Sequence, residues 1–379
     1  MSGPKKISPL RIFYPPVILL FLILLLPWFR GFFFDLGIRW LYILLFSFSL
    51  CYILTPCMRW VALKFDIVDI PDERKIHSKS TPLLGGVAVM VALSTSLGAN
   101  MVLEKEMLVL LSGGLVVGVV GLLDDCRGIP AAIKLVIQVI VVLILTRSGI
   151  ILDLCCPMTS WGYMGNLILT VIWIVGITNA MNFFDGMDGL ATGLSAIIAI
   201  FIAIVSFQTS QPFMGWIALA VLGSCIGFLP FNFRPKKPAA IFLGDAGSTF
   251  LGFVLGALAI KGYWADNRPI VSFATPILIF WILIFDMAYI TIERIVTGKV
   301  KNFKEWIDYV GTDHLHHRLY ALLGNKRGAV LTIFLFSATL GLSSIVLRNA
   351  RTIDALVLVL QAFLIVIIFT IIEYAGRSR

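Results

Sequence analysis

Twelve predominantly apolar stretches, separated by loops that hold most of the charged residues, make up most of this chain. An α-helix of about 20 apolar residues can cross the hydrocarbon core of a bilayer, because it satisfies its backbone hydrogen bonds internally. The pattern therefore predicts an all-α, polytopic integral membrane protein with about 11–12 transmembrane helices. The predicted segments are Tyr14–Phe34, Gly37–Ala62, Leu83–Leu103, Met107–Leu123, Ala131–Thr146, Met164–Ile177, Leu190–Phe207, Phe213–Phe231, Thr249–Ile260, Ile270–Thr291, Ala329–Val346 and Ile353–Ile372.

Composition agrees with a membrane protein and excludes other classes. Hydrophobic residues make up 59% of the 379 residues and charged residues 13%, against about 25% charged residues in soluble proteins. The net charge of +9 comes from basic loops and not from a nucleic-acid-binding motif, so no nucleic-acid partner is expected. We divide the chain into an N-terminal extension with an extra transmembrane helix, residues 1–36, and a membrane domain, residues 37–379.

The basic residues fall mainly in alternate loops. With a cytoplasmic N-terminus, most of the 30 Lys and Arg residues lie on the inner side, as the positive-inside rule requires. The same orientation places all four histidines and the polar clusters described below on the cytoplasmic side. The sequence therefore predicts one active site that faces the cytoplasm.

Two neighbouring acidic residues, Asp124 and Asp125, follow the uncharged run Met107–Leu123. Adjacent carboxylates repel each other and resist burial, so at a membrane edge they indicate a site for a cation or for phosphate chemistry. A solvated helix end is the alternative. Lys134, on the next segment, is suited to a lipid phosphate, and snorkelling of its side chain is the alternative there.

Two small-residue loops carry further polar residues. Asn182, Asp185 and Asp188 are spaced by three, which places them on one face of a helical turn. Asp245 lies in Gly244-Asp-Ala-Gly-Ser248, where the backbone amides at a helix start suit phosphate oxygens. These residues predict a nucleotide or metal site, and helix capping is the alternative.

Three histidines, His314, His316 and His317, precede Arg318 in the most charged loop. A zinc site is disfavoured because no accompanying Cys or His gives a metal-binding spacing. The basic loop suits a pyrophosphate instead, through hydrogen bonds and charge to its oxygens. Asp286 and Arg294 predict an ion pair at the membrane edge that positions this loop, with a purely structural pair as the alternative.

Five motifs follow one another along the chain. They are Asp69-x-Pro-x-x-Arg-Lys-x-His77 with Pro82-Leu-Leu-Gly-Gly86, then Asp124-Asp125, Asn179-x-x-Asn182-x-x-Asp185-Gly-x-Asp-Gly189, Asn232 with Phe242-x-Gly-Asp-x-Gly247, and His314-x-His-His317. Their order closely resembles the polyprenyl-phosphate N-acetylhexosamine-1-phosphate transferases of glycosyltransferase family 4. The resemblance covers the chain from about Gly37 to the C-terminus.

The resemblance implies that undecaprenyl phosphate attacks the β-phosphorus of a UDP-N-acetylhexosamine and releases UMP, in the inner (cytoplasmic) membrane of a bacterium. It implies Mg²⁺, or Mn²⁺ in its place, and contact with the lipid bilayer. The matching metal positions are Asn182 and Asp245. The matching catalytic positions are Asp124, Asp125, Asp185, His314, His316 and His317, and the matching substrate-binding positions are Lys134, Asp188, Asn232, Phe242 and Arg318.

The sequence leaves several alternatives open. Pro82-Leu-Leu-Gly-Gly86 and the His-x-His-His loop resemble the branch that transfers GlcNAc-1-phosphate, and the peptidoglycan branch, phospho-MurNAc-pentapeptide transferase, is the alternative. An ion-coupled transporter that uses Asp124, Asp185 and Asp286 is an alternative of another class. It is disfavoured because most of these acids lie at segment ends on one side. A homodimer and a monomer both remain open.

Overall fold

The computed structural model describes residues 9–70, 80–102, 104–154, 159–234, 236–265, 269–309 and 311–377. Within these ranges the chain is almost entirely helical. The helices are α1 (Pro9–Leu24), α2 (Pro27–Asp35), α3 (Arg39–Lys64), α4 (Gly85–Ala99), α5 (Lys105–Arg127), α6 (Ala131–Arg147), α7 (Ser160–Phe183), α8 (Leu190–Gln208), α9 (Pro212–Asn232), α10 (Gly244–Lys261), α11 (Pro269–Ile279), α12 (Trp281–Val296), α13 (Phe303–Asp308), α14 (Leu315–Leu323), α15 (Lys326–Ile345) and α16 (Thr352–Arg377). Two short strands, β1 (Val68–Asp69) and β2 (Thr81–Pro82), pair antiparallel.

Every predicted apolar segment is helical, so the prediction of an all-α polytopic membrane protein is confirmed. Seven described helices are long and apolar enough to cross a membrane, and two bent helix pairs raise this number to nine. The other three segments form α4, α6 and α10, which have 15, 17 and 18 residues. The predicted count of about 11–12 exceeds the seven to nine because it included these shorter helices.

Two of the predicted spans each consist of two helices that meet at a bend. α1 and α2 meet at 78°, and α11 and α12 meet at 80°. Pro27 opens α2 and lacks the N–H that would continue α1, whereas Pro276 removes one hydrogen bond from α11 a turn before its break. The second break concerns the site directly, since α12 carries Asp286 and Arg294.

Helix α10 lies in the interior of the bundle. It is buried along almost its whole length and packs against α4, α5, α7 and α8. A Cβ atom on Gly121 of α5 would lie only 2.5 Å from the carbonyl oxygen of Asp245, and one on Gly86 of α4 would lie 2.2 Å from the backbone nitrogen of Gly247. Small residues permit such close backbone approach between membrane helices. The first turn of α10, with Asp245, is therefore held between the end of α5 and the start of α4.

Candidate active site

One large cavity, of about 2230 Å³, opens at the end of the bundle where α5 and α7 finish and α10 begins. It brings together all but two of the predicted site residues, from segments far apart in the sequence. The predicted residues in its lining are Asp124, Asp125, Asn182, Asp185, Asp188, Asn232, Phe242, Asp245, His314, His316 and His317. Lys134 and Arg318 do not belong to this lining, and their contacts are described below.

The two adjacent acids at the end of α5 have different partners. Asp125 accepts hydrogen bonds from the backbone N–H groups of Asp245, at 2.9 Å, and Ala246, at 3.1 Å. These amides belong to the first turn of α10, which otherwise has no side-chain cap. A carboxylate at a helix N-terminus is stabilising because it satisfies unpaired amides and complements the helix dipole. In this structure Asp125 therefore caps α10 and ties it to α5.

Asp124 instead faces Lys134. Its Oδ2 is bonded to the Lys134 ammonium, and its Oδ1 accepts the backbone N–H of Ile129, just beyond the helix. The same ammonium lies 3.0 Å from Oδ2 of Asp245. Lys134 thus bridges the two carboxylates from the first turns of α6, and it lies at the site although its side chain is outside the cavity lining.

The amide of Asn182 completes this polar group. Its Nδ2 donates to Oδ1 of Asp245 at 2.9 Å and to Oγ of Ser248 at 3.0 Å. The helical face expected for Asn182, Asp185 and Asp188 is not continuous, because α7 ends at Phe183 and a 3₁₀ turn, Phe184–Gly186, follows. All three side chains nevertheless line the same cavity.

A second wall of the cavity is formed by the loop between α9 and α10. Asp188 accepts the backbone N–H of Ala239 at 2.8 Å. Asn232 is buried, donates to the carbonyl of Ile241 at 3.1 Å and accepts from the hydroxyl of Thr192 at 3.1 Å. Asp188 and Asn232 therefore stabilise the loop that carries Phe242. Their predicted substrate contacts stay predictions.

The Gly-Gly motif at the start of α4 has a structural explanation. The backbone N–H groups of Gly85 and Gly86 donate to the carbonyls of Phe242, at 3.0 Å, and Leu243, at 2.8 Å. A side chain at either glycine would collide with the ring of Phe228 or with the backbone of Gly247. Residues 71–79, including His77 of the first motif, lie outside the described residues.

Two buried polar contacts, of which Arg294 with Asp313 is an ion pair, hold residues 313–317, the histidine segment, against α12. Nδ1 of His314 lies 2.7 Å from Oδ2 of Asp286, whose Oδ1 accepts the backbone N–H of Leu315 at 2.7 Å. Arg294 binds both oxygens of Asp313, at 2.7 and 2.8 Å. The predicted pair of Asp286 with Arg294 is therefore wrong, because each residue finds its partner in the histidine segment. The expected positioning of that segment by both residues agrees with these contacts.

His316 and His317 sit in different environments on α14. His316 is 1% exposed, and neither ring nitrogen has a hydrogen-bond partner among the described residues. Its Nε2 faces Gly186, where a Cβ atom would lie only 2.6 Å away. Burial, and then the neighbouring histidines, lower the pKa of His316 well below its usual value, and burial also lowers the pKa of His317. Both shifts favour the uncharged form of the rings.

Arg318 points away from the cavity. Its guanidinium lies 3.4 Å from the carboxylate of Glu373 on α16 and 3.9 Å from the ring centre of Tyr289 on α12. Both Arg318 and Glu373 are buried. The predicted substrate contact of Arg318 therefore does not match its position. Its guanidinium instead contacts the buried carboxylate of Glu373 and the ring of Tyr289. In this conformation Arg318 ties α14 to α12 and α16.

The cavity also has basic residues that the motif analysis missed. Arg59, Arg234, Lys237 and Arg327 line it, and these residues make no ion pair in the part of the chain that the structure describes. Burial, followed by repulsion from Arg59, lowers the pKa of Arg234. A cavity wall with unpaired cations attracts anions. In the sequence, these four residues belong to the excess of Lys and Arg on one side of the predicted topology. That excess does not distinguish them from the other basic residues on the same side.

The acidic corner provides oxygen ligands of the kind that Mg²⁺ prefers. Among the described residues, no group of three or more His, Cys, Asp or Glu is placed to hold a metal ion. Asp124 and Asp245 nevertheless converge on a single cationic nitrogen, and Asn182 adjoins them. Mg²⁺ is usually held by one or two carboxylates together with water and substrate phosphates. The donor set fits this mode of binding, and it does not fit a closed zinc site.

Fold and site together define a class: a helical integral membrane protein with one large cavity lined by acids, histidines and unpaired cations. Comparison with known proteins identifies the family. The chain belongs to the glycosyl transferase family 4 proteins, and the model of that family matches residues 107–263.

Three relatives of the chain are transferases by name. It is 36% identical over 304 residues to the probable undecaprenyl-phosphate N-acetylglucosaminyl 1-phosphate transferase of Bacillus subtilis (strain 168), covering 79% of this chain and 82% of that protein. It is 31% identical over 317 residues to the decaprenyl-phosphate N-acetylglucosaminephosphotransferase of Mycolicibacterium smegmatis, covering 75% and 76%. The phospho-N-acetylmuramoyl-pentapeptide-transferase of Clostridium beijerinckii is 33% identical over 236 residues, covering 57% and 71%.

Proposed function

We propose that this protein transfers GlcNAc-1-phosphate from UDP-GlcNAc to undecaprenyl phosphate, releasing UMP and forming undecaprenyl-diphosphate-GlcNAc. The observation that carries the proposal is the convergence of residues from all five motifs on one cavity at one end of the helical bundle. The names and coverage of the relatives support the same reaction. A phosphate oxygen of the lipid attacks the β-phosphorus, a new P–O bond forms, and the bond to the UMP oxygen breaks with its electron pair leaving on UMP.

The chemical difficulty of this reaction is the approach of two anions. A phosphate monoester is already ionised at neutral pH, so alignment and charge neutralisation matter more than removal of a proton. Lys134, at the edge of the cavity, supplies a cation for the attacking phosphate. Arg59, Arg234 and Arg327, which make no ion pair among the described residues, supply further positive charge in the lining of the cavity. In this assignment the basic residues attract both anionic substrates and align the lipid phosphate with the β-phosphorus of the UDP-sugar.

Asp124, Asp245 and Asn182 are the residues that would hold a divalent cation, Mg²⁺ or Mn²⁺. When bound, this cation would neutralise diphosphate oxygens that gain negative charge as the bond to UMP breaks. Asp125 keeps the first turn of α10 in place through its two amide hydrogen bonds. We therefore assign Asp125 to positioning and Asp124 to the cation and acceptor side of the site.

The histidines also line the cavity. Burial favours the uncharged form of His316 and His317, and an uncharged ring can donate one hydrogen bond to a diphosphate oxygen. The negative charge of a bound diphosphate favours protonation and would strengthen these bonds. His314 is held by Asp286 and fixes the orientation of the segment that carries the other two.

The comparisons favour the GlcNAc reaction over the peptidoglycan alternative. The GlcNAc relative from Bacillus subtilis matches 79% of the chain, whereas the pentapeptide-transferase relative from Clostridium beijerinckii matches 57% at lower identity. The basic cavity wall and the excess of basic loop residues on one side support a site that faces the cytoplasm of a bacterial inner membrane. A transporter is disfavoured because the acids gather at one end of the bundle instead of near its middle.

A direct assay tests the proposal. The full-length protein, purified in detergent, is incubated with undecaprenyl phosphate and Mg²⁺ and with UDP-GlcNAc, UDP-GalNAc or UDP-MurNAc-pentapeptide in separate reactions. We expect UMP release and a lipid product with the mass of undecaprenyl-diphosphate-GlcNAc. A product only with UDP-MurNAc-pentapeptide would move the protein to the peptidoglycan branch. No UMP release with any of these UDP-sugars, in protein shown to be folded, would refute the proposal.

A further inference from the structure

The ammonium of Lys134 lies between the carboxylates of Asp124 and Asp245, the two acids assigned above to a divalent cation. It is bonded to Oδ2 of Asp124 and lies 3.0 Å from Oδ2 of Asp245. The side chains of Lys134, Asp124 and Asp245 are 20%, 15% and 32% exposed. Charge-assisted hydrogen bonds of this kind are strong when they are shielded from water. The lysine is therefore the resident counter-ion of the acidic corner.

The remaining carboxylate oxygens are also engaged. Oδ1 of Asp245 accepts from the amide of Asn182 at 2.9 Å, and Oδ1 of Asp124 accepts the backbone N–H of Ile129. Both bonds come from neutral donors that belong to helix ends near the site. Among the described residues, the charged group bonded to Asp245 is Lys134, at Oδ2. A divalent cation that binds this oxygen has to displace the ammonium.

We propose that Lys134 competes with the divalent cation for Asp245 and that release of Lys134 couples cation binding to binding of the acceptor phosphate. Once Asp245 binds a cation, the ammonium loses one anionic partner and becomes available to a phosphate monoester in the cavity. Conversely, a phosphate that binds Lys134 frees Oδ2 of Asp245. Coupling of this kind is reciprocal, so each ligand raises the affinity for the other. The coupling part of the inference rests on the proposed function, whereas the competition part does not.

Direct cation binding tests the competition without any substrate. The probe is Mn²⁺ alone, and free Mn²⁺ is measured by electron paramagnetic resonance during titration of the detergent-purified full-length protein. We expect Lys134→Met and Lys134→Gln to lower the dissociation constant for Mn²⁺ by about tenfold, because the competing ammonium is gone. Lys134→Arg retains a competing charge and should bind Mn²⁺ within about twofold of the unsubstituted protein.

Lys261 provides a matched control. Its side chain is also 20% exposed and pairs with Glu106, at 3.3 Å, far from the cavity lining. Lys261→Met removes the same charge from the protein and should leave the Mn²⁺ dissociation constant unchanged. Equal tightening in Lys261→Met and Lys134→Met would show a general charge effect and overturn the proposal. Unchanged or weaker binding in both Lys134→Met and Lys134→Gln would also overturn it.

Thermal unfolding gives a second readout that also checks the fold of each variant. Without Mn²⁺, Lys134→Met leaves Asp124 and Asp245 facing each other without a counter-ion and should unfold at lower temperature. Added Mn²⁺ should raise the unfolding temperature of Lys134→Met by more than it raises that of Lys261→Met. If Mn²⁺ stabilises Lys134→Met and the unsubstituted protein by the same increment, the competition is refuted. If Lys134→Met is too unstable to purify, the same measurement compares Lys134→Gln, which lacks the charge, with Lys134→Arg, which retains it.

The coupling is tested by repeating the titration of the unsubstituted protein with undecaprenyl phosphate present. We expect the lipid to lower the Mn²⁺ dissociation constant at least threefold, and to have no such effect in Lys134→Met. An equal effect of the lipid in both proteins would refute the coupling. This result is independent of the UMP-release assay: absence of UMP release refutes the proposed reaction, whereas the substrate-free titration decides the competition by itself.

Discussion

The carboxylate of Asp286 lies 2.7 Å from Nδ1 of His314 and accepts the backbone N–H of Leu315 at the same distance. Asp286 is completely buried on α12, and His314 stacks against Phe183 at the end of α7. One acidic side chain therefore fixes both the ring of the first histidine and the start of α14. The bend between α11 and α12 is what directs this buried acid toward the histidine segment.

Replacing Asp286 with Asn should reduce turnover without removing substrate binding. The amide is similar in shape but neutral, so His314 loses its charged partner while the packing is kept. In metal sites, loss of the group that orients a ligating histidine costs about 10–100-fold, and we expect a loss of the same order for this non-metal histidine. We expect kcat for UMP release to fall in that range and KM for UDP-GlcNAc to change little. Asp354→Asn, in an exposed pair with Arg351, is the control, and an equal loss in both variants would contradict the assignment.

Gly186 should not tolerate even a methyl group. A Cβ atom there would lie 2.6 Å from Nε2 of His316, whereas one on Gly176 of α7 would meet nothing within 4 Å. Displacing a functional group by about 1 Å can cost about 100-fold in rate. We expect Gly186→Ala to lower kcat at least about tenfold while Gly176→Ala stays near normal. The prediction fails if both variants turn over at the same rate.

The fold followed from the sequence more completely than the site did. Hydropathy located every apolar helix, because burial in lipid and in the bundle both select apolar residues. It did not predict the breaks at Leu25 and Phe280, because the mean hydropathy of a segment does not report the direction of the helix axis. The spacing of Asn182, Asp185 and Asp188 predicted that they lie together, and all three line one cavity. The same spacing could not show that α7 ends at Phe183.

Partners of the charged residues were the least predictable part of the site. Asp286 and Arg294 are two helical turns apart, so a pair between them was reasonable, yet both bind residues about 20 to 30 positions further along the chain. Arg318 follows the histidines in sequence, but the helical turn of α14 directs it to Glu373. Such pairings depend on tertiary packing, and a single sequence does not encode them as a pattern.

Acidification should destabilise the protein through His316 and His317. Their pKa values are lowered in the folded state, so below about pH 6.5 the unfolded chain binds protons that the folded chain does not. Stability is then complete above that pH and falls as the pH decreases. We expect thermal unfolding in detergent to occur at lower temperature at pH 5.5 than at pH 7.5, with a smaller difference in His316→Gln. An equal pH dependence in His316→Gln would contradict this role of burial.

The unpaired arginines of the cavity wall should contribute to the capture of anionic substrates. A hydrogen bond to a charged group contributes about 1.5–3 kcal/mol, and exposure of Arg59 and Arg327 reduces this contribution. We expect Arg59→Gln and Arg327→Gln each to raise a substrate KM by about fivefold with little change in kcat. The increase should shrink at high salt because exposed charges are screened. Arg351→Gln is the control, and an equal KM increase there would contradict a local effect.

Asp245 is the residue whose loss should abolish the reaction. Its carboxylate is bonded to Lys134 and Asn182, and its backbone N–H is bonded to Asp125. Asp245→Asn keeps the backbone contact and the side-chain shape but removes the charge needed for a divalent cation. We expect UMP release to fall at least about 1000-fold, Mn²⁺ binding to be lost, and membrane insertion and thermal unfolding to stay near normal. Glu106→Gln removes an acid outside the cavity and should retain activity. Near-normal turnover in Asp245→Asn would remove Asp245 from the metal site.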